Sequence, residues 1–124
     1  MLTDICYALT ALISAGIIAL GSRAVLAPRA AIAAFGVPAE SGAEIRPYLA
    51  IKGVRDIGAG LATVALLIAA PAHALAWFLI ACAAIPLGDM TIVLRSHGPK
   101  VTAYAVHGAT AAVMLAIATA LLLA

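Results

Sequence analysis

Charge is scarce in this chain. Seven Lys and Arg and five Asp and Glu are spread over 124 residues, 10% of the total, where a soluble domain carries roughly a quarter. So few ionic groups cannot coat a fold in water, and an ordinary soluble globular domain is excluded. The basic residues are also too dispersed for a nucleic-acid footprint despite a formal net charge of +2, and no nucleic-acid partner is expected. Cysteine is nearly absent as well. Cys6 and Cys82 both lie in apolar runs, too few for a disulfide framework or a metal cluster, and they read as small buried hydrophobes. No metal and no other cofactor is expected.

What the chain has is hydrocarbon: 66% of its residues are apolar and its mean hydropathy is +1.20. Four apolar segments, roughly residues 5–22, 47–70, 74–94 and 101–124, each approach the length a helix needs to cross a bilayer. They occupy nearly everything and leave no stretch for a separate soluble domain, so residues 1–124 read as one integral membrane unit. The first segment has Asp4 and no Lys or Arg before it, unlike the basic start of a signal peptide, and is expected to stay attached. The long connection after it contains Pro28 and, eight residues on, Gly36, which suit the first turn and the stop of a short helix. The sequence therefore predicts an all-α fold, a four-transmembrane-helix antiparallel bundle with a short interfacial helix between helices one and two. Ala and Gly are frequent enough to let helices approach closely, with Gly53, Gly58, Gly60, Gly88 and Gly108 as candidate contacts.

Basic residues outside the apolar segments fix the expected orientation. Arg23, Arg29, Arg46, Arg95 and Lys100 all belong to the first and third connections, and the second has none. The positive-inside bias then puts those two connections in the cytoplasm and both termini outside. With no targeting segment, a bacterial inner membrane is the expected location, and the lipid bilayer is the chain's principal partner.

Ionisable residues inside the apolar segments are the main functional signal, because they are costly in a membrane. Helix two carries Lys52, Arg55 and Asp56, helix three Asp89, and helix four His107. At about 100° per residue, Tyr48, Lys52, Arg55, Asp56 and Thr63 share a face of helix two, while Cys82, Pro86 and Asp89 share one on helix three. Tyr104, His107, Thr110 and Met114 do so on helix four, and Tyr7, Thr10 and Ser14 form a polar stripe on helix one. Four such stripes imply a common interior. At 1.5 Å per residue Asp56, Asp89 and His107 all lie about 9–14 Å from the ends facing the first and third connections, so a pocket entered from the cytoplasmic side is expected. The bland alternative is mutual neutralisation: Arg55 with Asp56 or Asp89, Lys52 snorkelling to the headgroups, and His107 satisfying a backbone carbonyl. Two carboxylates, two cations and a histidine exceed what that alternative needs. Pro86 leaves the Cys82 carbonyl without its helical donor and suits a kink.

Other chemistry is not legible. Gly58 and Gly60 lack the strand-to-helix setting of a dinucleotide fingerprint, and no serine has a local base. The run Phe35-Gly36-Val37-Pro38, then Pro47-Tyr48, Lys52-Gly53 with Arg55-Asp56 and Gly60, then Gly88-Asp89 and His107-Gly108, resembles the domain of unknown function 4267 family of small integral membrane proteins. The resemblance covers nearly the whole chain, with Lys-Gly-x-Arg-Asp as its most specific part. It implies a compact four-helix membrane protein with the charged residues of helices two and three as its site, and it implies no reaction. The size is also similar to that of small multidrug resistance exporters, but their essential carboxylate in the middle of helix one has no counterpart here.

Three functions are therefore weighed. In the first, the pocket binds a small amphiphilic molecule and supports an acid-base isomerisation or cyclisation: Asp56, Asp89 and His107 handle protons, while Lys52, Arg55, Tyr48 and Tyr104 hold the ligand. In the second, Asp56 and Asp89 carry protons in a small transporter working as a homo-oligomer. The third is an accessory subunit whose small-residue faces pack on a partner helix.

Overall fold

A computed structural model describes residues 1–36 and 45–124, and among these every regular element is helical. The order is α1 (Leu2–Leu26), α2 (Pro28–Phe35), α3 (Ile45–Ala69), α4 (Ala72–Cys82), α5 (Ala84–Arg95), a π-helical segment (Thr102–Gly108) and α6 (Ala109–Leu123). Glu40, Ser41, Gly42 and Glu44 of the first connection lie outside the described residues. Three helical stretches are long and apolar enough to cross a membrane: Leu2–Leu26, Ala72–Arg95 and Thr102–Leu123. The chain is thus a helical, multi-pass type of membrane protein. α3 is as long as α1, 25 residues, but Arg46, Lys52, Arg55 and Asp56 interrupt its apolar character.

Helix one runs beyond its expected end near Ser22, whose hydroxyl is satisfied within the helix by the Ile18 carbonyl. The helix stops only where Pro28 begins α2. That short helix ends on Gly36 at φ 84°, the left-handed conformation in which glycine has no Cβ penalty.

α1 packs along α3 in an antiparallel seam. A Cβ on Gly53 would stand 2.5 Å from the Gly21 carbonyl oxygen, and one on Gly60 would meet Ile18 and the Ser14 backbone. The two backbones touch through small residues, as helices without a hydrophobic driving force require. Gly58 and Gly88, expected at tight contacts, face open space instead, and Gly21 takes the place they were given. The second pair of helices is α4–α5 packed on α6 and the π segment. One apolar cluster, including Cys6, Leu75, Leu79, Met114, Ile117 and Leu121, closes the end of the bundle that holds the α3–α4 turn. At the opposite end the first and third connections meet, since a Cβ on Gly98 would collide with the Gly36 carbonyl oxygen.

The polar stripe of helix one has a structural explanation. Thr10 and Ser14 are fully buried, yet each hydroxyl bonds the carbonyl four residues earlier, Cys6 and Thr10 respectively. Both side chains are satisfied inside their own helix, which lets them sit in a close interface at no polar cost.

Candidate functional site

Between the two helix pairs lies a cavity of about 190 Å³. α1 contributes Ile13, Ile17 and Leu20 to its wall, and Leu79, Ile85 and Met114 face them across the space, so the wall is largely hydrocarbon. Its polar groups gather towards the end where the first and third connections meet. Lys52 and Asp56 come from α3, Asp89 from α5 and His107 from the π segment.

Two backbone irregularities coincide with this space. The third apolar stretch breaks between Cys82 and Ala84, and Pro86, without an N–H, cannot serve the Cys82 carbonyl. Opposite it, the chain widens into π geometry over Thr102–Gly108, a departure that often marks functional positions. Cys82, Pro86 and Asp89 from the first break and His107 from the second all line the cavity. In a membrane, non-helical backbone is tolerated where it is buried in protein or borders a cavity.

The charged groups form two pairs. Lys52 Nζ donates to Asp56 Oδ2 at 2.7 Å, one helical turn apart. His107 Nδ1 stands 3.9 Å from Asp89 Oδ2, while its Nε2 is 3.3 Å from the Phe35 carbonyl oxygen. A carbonyl only accepts, so that second contact is a hydrogen bond when Nε2 carries the hydrogen. In the neutral ring Nδ1 is then bare and faces a carboxyl oxygen. At 3.9 Å the two groups are within ion-pair range but beyond hydrogen-bond distance. Every buried side-chain nitrogen and oxygen among the described residues has a partner.

Phe35 ties these parts together. Its ring is tilted against His107 at 5.0 Å between centroids, and Lys52 Nζ lies 4.9 Å from the centre of the same ring, within the range of a cation–π contact. The last residue of α2 therefore covers the polar end of the cavity. Phe35 stands out in the sequence only at the head of the run Phe35-Gly36-Val37-Pro38, because the fold-back of α2 across the bundle leaves no periodic signal.

The geometry separates the seven predicted site residues. It brings together Lys52, Asp56, Asp89 and His107. Tyr48, Arg55 and Tyr104 are outside the cavity wall: the tyrosines are 73% and 57% exposed, and Arg55 is exposed with no ion pair among the described residues. In place of the alternative in which Arg55 neutralises Asp56 or Asp89, Lys52 pairs with Asp56 and His107 faces Asp89, while Arg55 is exposed. Lys52 is not a free snorkelling cation but half of a pair. Tyr48 and Tyr104 stand near the helix ends at the first and third connections and Trp77, 63% exposed, near the other end, the distribution of an aromatic belt at two membrane interfaces. Arg23 lines the cavity but was read from sequence only as a topology signal.

A multi-pass helical membrane protein with a partly polar cavity is the class that these features define. Residues 14–121 match the model of the domain of unknown function (DUF4267), and the chain belongs to that family. No curated protein and no solved structure matches it.

Proposed function

We propose that the chain is a four-helix antiparallel membrane bundle whose cytoplasm-facing cavity binds a small amphiphilic molecule. The observation that carries this reading is the convergence of two helix irregularities and two ionisable pairs on one apolar cavity. An apolar wall with a few convergent polar groups is the usual composition of a small-molecule site. The chain in this reading lays the ligand's hydrocarbon part along Ile17, Leu79 and Met114 and its polar head near Lys52 and His107. Asp89 and His107, 3.9 Å apart on the cavity wall, are the groups assigned in this reading to an acid-base step on the ligand, of which an isomerisation or a cyclisation is an example. The apolar cluster behind Met114 makes the cavity one-sided, which favours binding over transport.

The test is to purify the full chain in mild detergent and identify co-purified small molecules by mass spectrometry. Wild type is expected to retain an amphiphile that His107→Ala loses, with the melting temperature of the variant within a few degrees of wild type. If wild type never retains a molecule and His107→Ala unfolds, the polar groups are scaffold and the accessory-subunit reading replaces this one.

The proposed orientation has its own measurement. In a bacterial inner membrane, an impermeant thiol reagent added from outside is expected to label His73→Cys in the second connection and to miss His97→Cys in the third, in a background with Cys6 and Cys82 replaced by Ala. The reverse pattern would place the cavity mouth on the outer side.

A further inference from the structure

The short helix α2 is the least anchored element around the cavity. None of its eight residues is buried, whereas every other helical element has buried residues. Yet α2 supplies Ala31, Ala34 and Phe35 to the cavity wall. A helix of that length has little stability of its own, and elements with few buried contacts are the ones that open first.

Its junction with α1 is a single residue. Ala27, at φ −136° and ψ 63°, is the only non-helical residue between the two helices. Its N–H closes α1 on the Arg23 carbonyl, and its carbonyl accepts a bond from Ala31 in α2. Pro28 has no N–H with which to reach the Ala24 carbonyl, so the ladder of α1 is not continued into α2. The backbone can turn about Ala27 without breaking either of these bonds. The other end of α2 is held by Phe35 and Gly36. The Phe35 carbonyl meets His107 Nε2 at 3.3 Å, its ring is tilted on the same imidazole at 5.0 Å, and Lys52 Nζ lies 4.9 Å from the ring centre. Gly36 rests against Thr102 and Gly98. Ring contacts of this kind shift an equilibrium by about two- to tenfold each, so together they favour the closed position without locking it.

We propose that α2 is the lid of the cavity: it pivots at Ala27, lifts Phe35 from Lys52 and His107, and opens the polar end to small molecules. Opening leaves the α1–α3 glycine contacts and the apolar cluster intact, because neither contains a side chain of α2. The lid governs access, whether the occupant is the amphiphile proposed above or another small molecule.

Two native thiols report on it. Cys82 lines the cavity, and Cys6 is buried in the apolar cluster. The full chain in mild detergent is treated with iodoacetamide, a small polar reagent, and initial alkylation rates at both thiols are read by peptide mass spectrometry. Phe35→Leu keeps an apolar side chain and loses the ring contacts, and is expected to speed alkylation of Cys82 about tenfold. Cys6 is expected to react as in wild type, with the melting temperature within a few degrees. The converse variant is a lock. A Cβ on Gly36 would stand 3.1 Å from the Thr102 Cβ, slightly less than the roughly 3.5–4.5 Å of a disulfide, so Gly36→Cys with Thr102→Cys is expected to oxidise while α2 is closed. Cysteine is strained at the left-handed Gly36, and the reduced form of the same double variant is therefore the reference. Oxidation is expected to slow Cys82 at least about tenfold, because the tether forbids the opening that access requires, and reduction to restore the rate.

Equal Cys82 rates in the oxidised and reduced double variant would overturn the lid, since the reagent then arrives by another path. So would an unchanged rate in Phe35→Leu, a rise shared by Cys6, which reports loosening of the whole bundle, or a cysteine pair that fails to oxidise. None of these results touches the binding reading, which is decided by retention of a co-purified molecule.

Discussion

Gly53→Leu is expected to separate α1 from α3 and to prevent the chain from reaching its folded state in detergent. The Cβ alone would stand 2.5 Å from the Gly21 carbonyl oxygen and 2.8 Å from Val25. The first of these neighbours is backbone and cannot rotate aside. Overpacking a well-ordered interior costs about 1–3 kcal/mol where side chains can adjust, and more where they cannot. Relief here requires the whole helix to retreat along a seam that also carries the Gly60 contact with Ile18 and Ser14. Lys52 and Asp56 ride on the same helix, so the cavity would be lost with the seam. Gly58→Leu is the matched comparison: it lies five residues on in the same helix, where nothing stands within 4 Å of a Cβ, and it is expected to melt within a few degrees of wild type. Circular dichroism melting of both variants, with size-exclusion profiles, checks the contrast. Equal damage from the two changes would mean that helix length or insertion, and not the seam, is being perturbed.

That contrast also shows what was legible in the sequence. The apolar runs, the helical class and the short helix between Pro28 and Gly36 follow from composition and from residues with strong local preferences. The facing of a glycine does not. Gly53 and Gly58 differ by five residues, about 140° around the helix, and only the position of α1 decides which of them is in contact. The charges divide in the same way. Lys52 and Asp56 are four residues apart, a spacing that favours an ion pair on its own helix, and the signal was available. Arg55 falls within the same third of the helix circumference as Lys52 and Asp56, but about 100° round from Asp56, at the edge of that arc, and it is exposed. The pairing of Asp89 with His107, the π segment that presents His107 and the cover supplied by Phe35 depend on how separate helices are placed. No local pattern in the chain announces them.

The ion pair of α3 gives the second large effect. Lys52→Met is expected to destabilise the bundle by about 1–3 kcal/mol, between the small value of exposed pairs and the 3–5 kcal/mol of fully buried ones. The Lys52 and Asp56 side chains are 34% and 18% exposed, and the loss falls unequally on them. A lysine deprived of its partner can extend its four-carbon stem towards the interface. An aspartate cannot, because its carboxylate is held one bond from Cβ and the Asp56 Cβ sits in the seam, 3.0 Å from where a Cβ on Gly21 would be. Removing the cation therefore strands a negative charge in a poorly solvated place, whereas Asp56→Leu leaves a cation with an escape route. The order of damage is expected to be Lys52→Met above Asp56→Leu, with the double change less damaging than Lys52→Met alone because no charge is left unpaired. Equilibrium unfolding of the four proteins in mixed detergent micelles, treated as a double-mutant cycle, measures the coupling directly. Strict additivity would mean that the 2.7 Å contact contributes nothing to stability, and that the two groups are held at the cavity for the ligand alone.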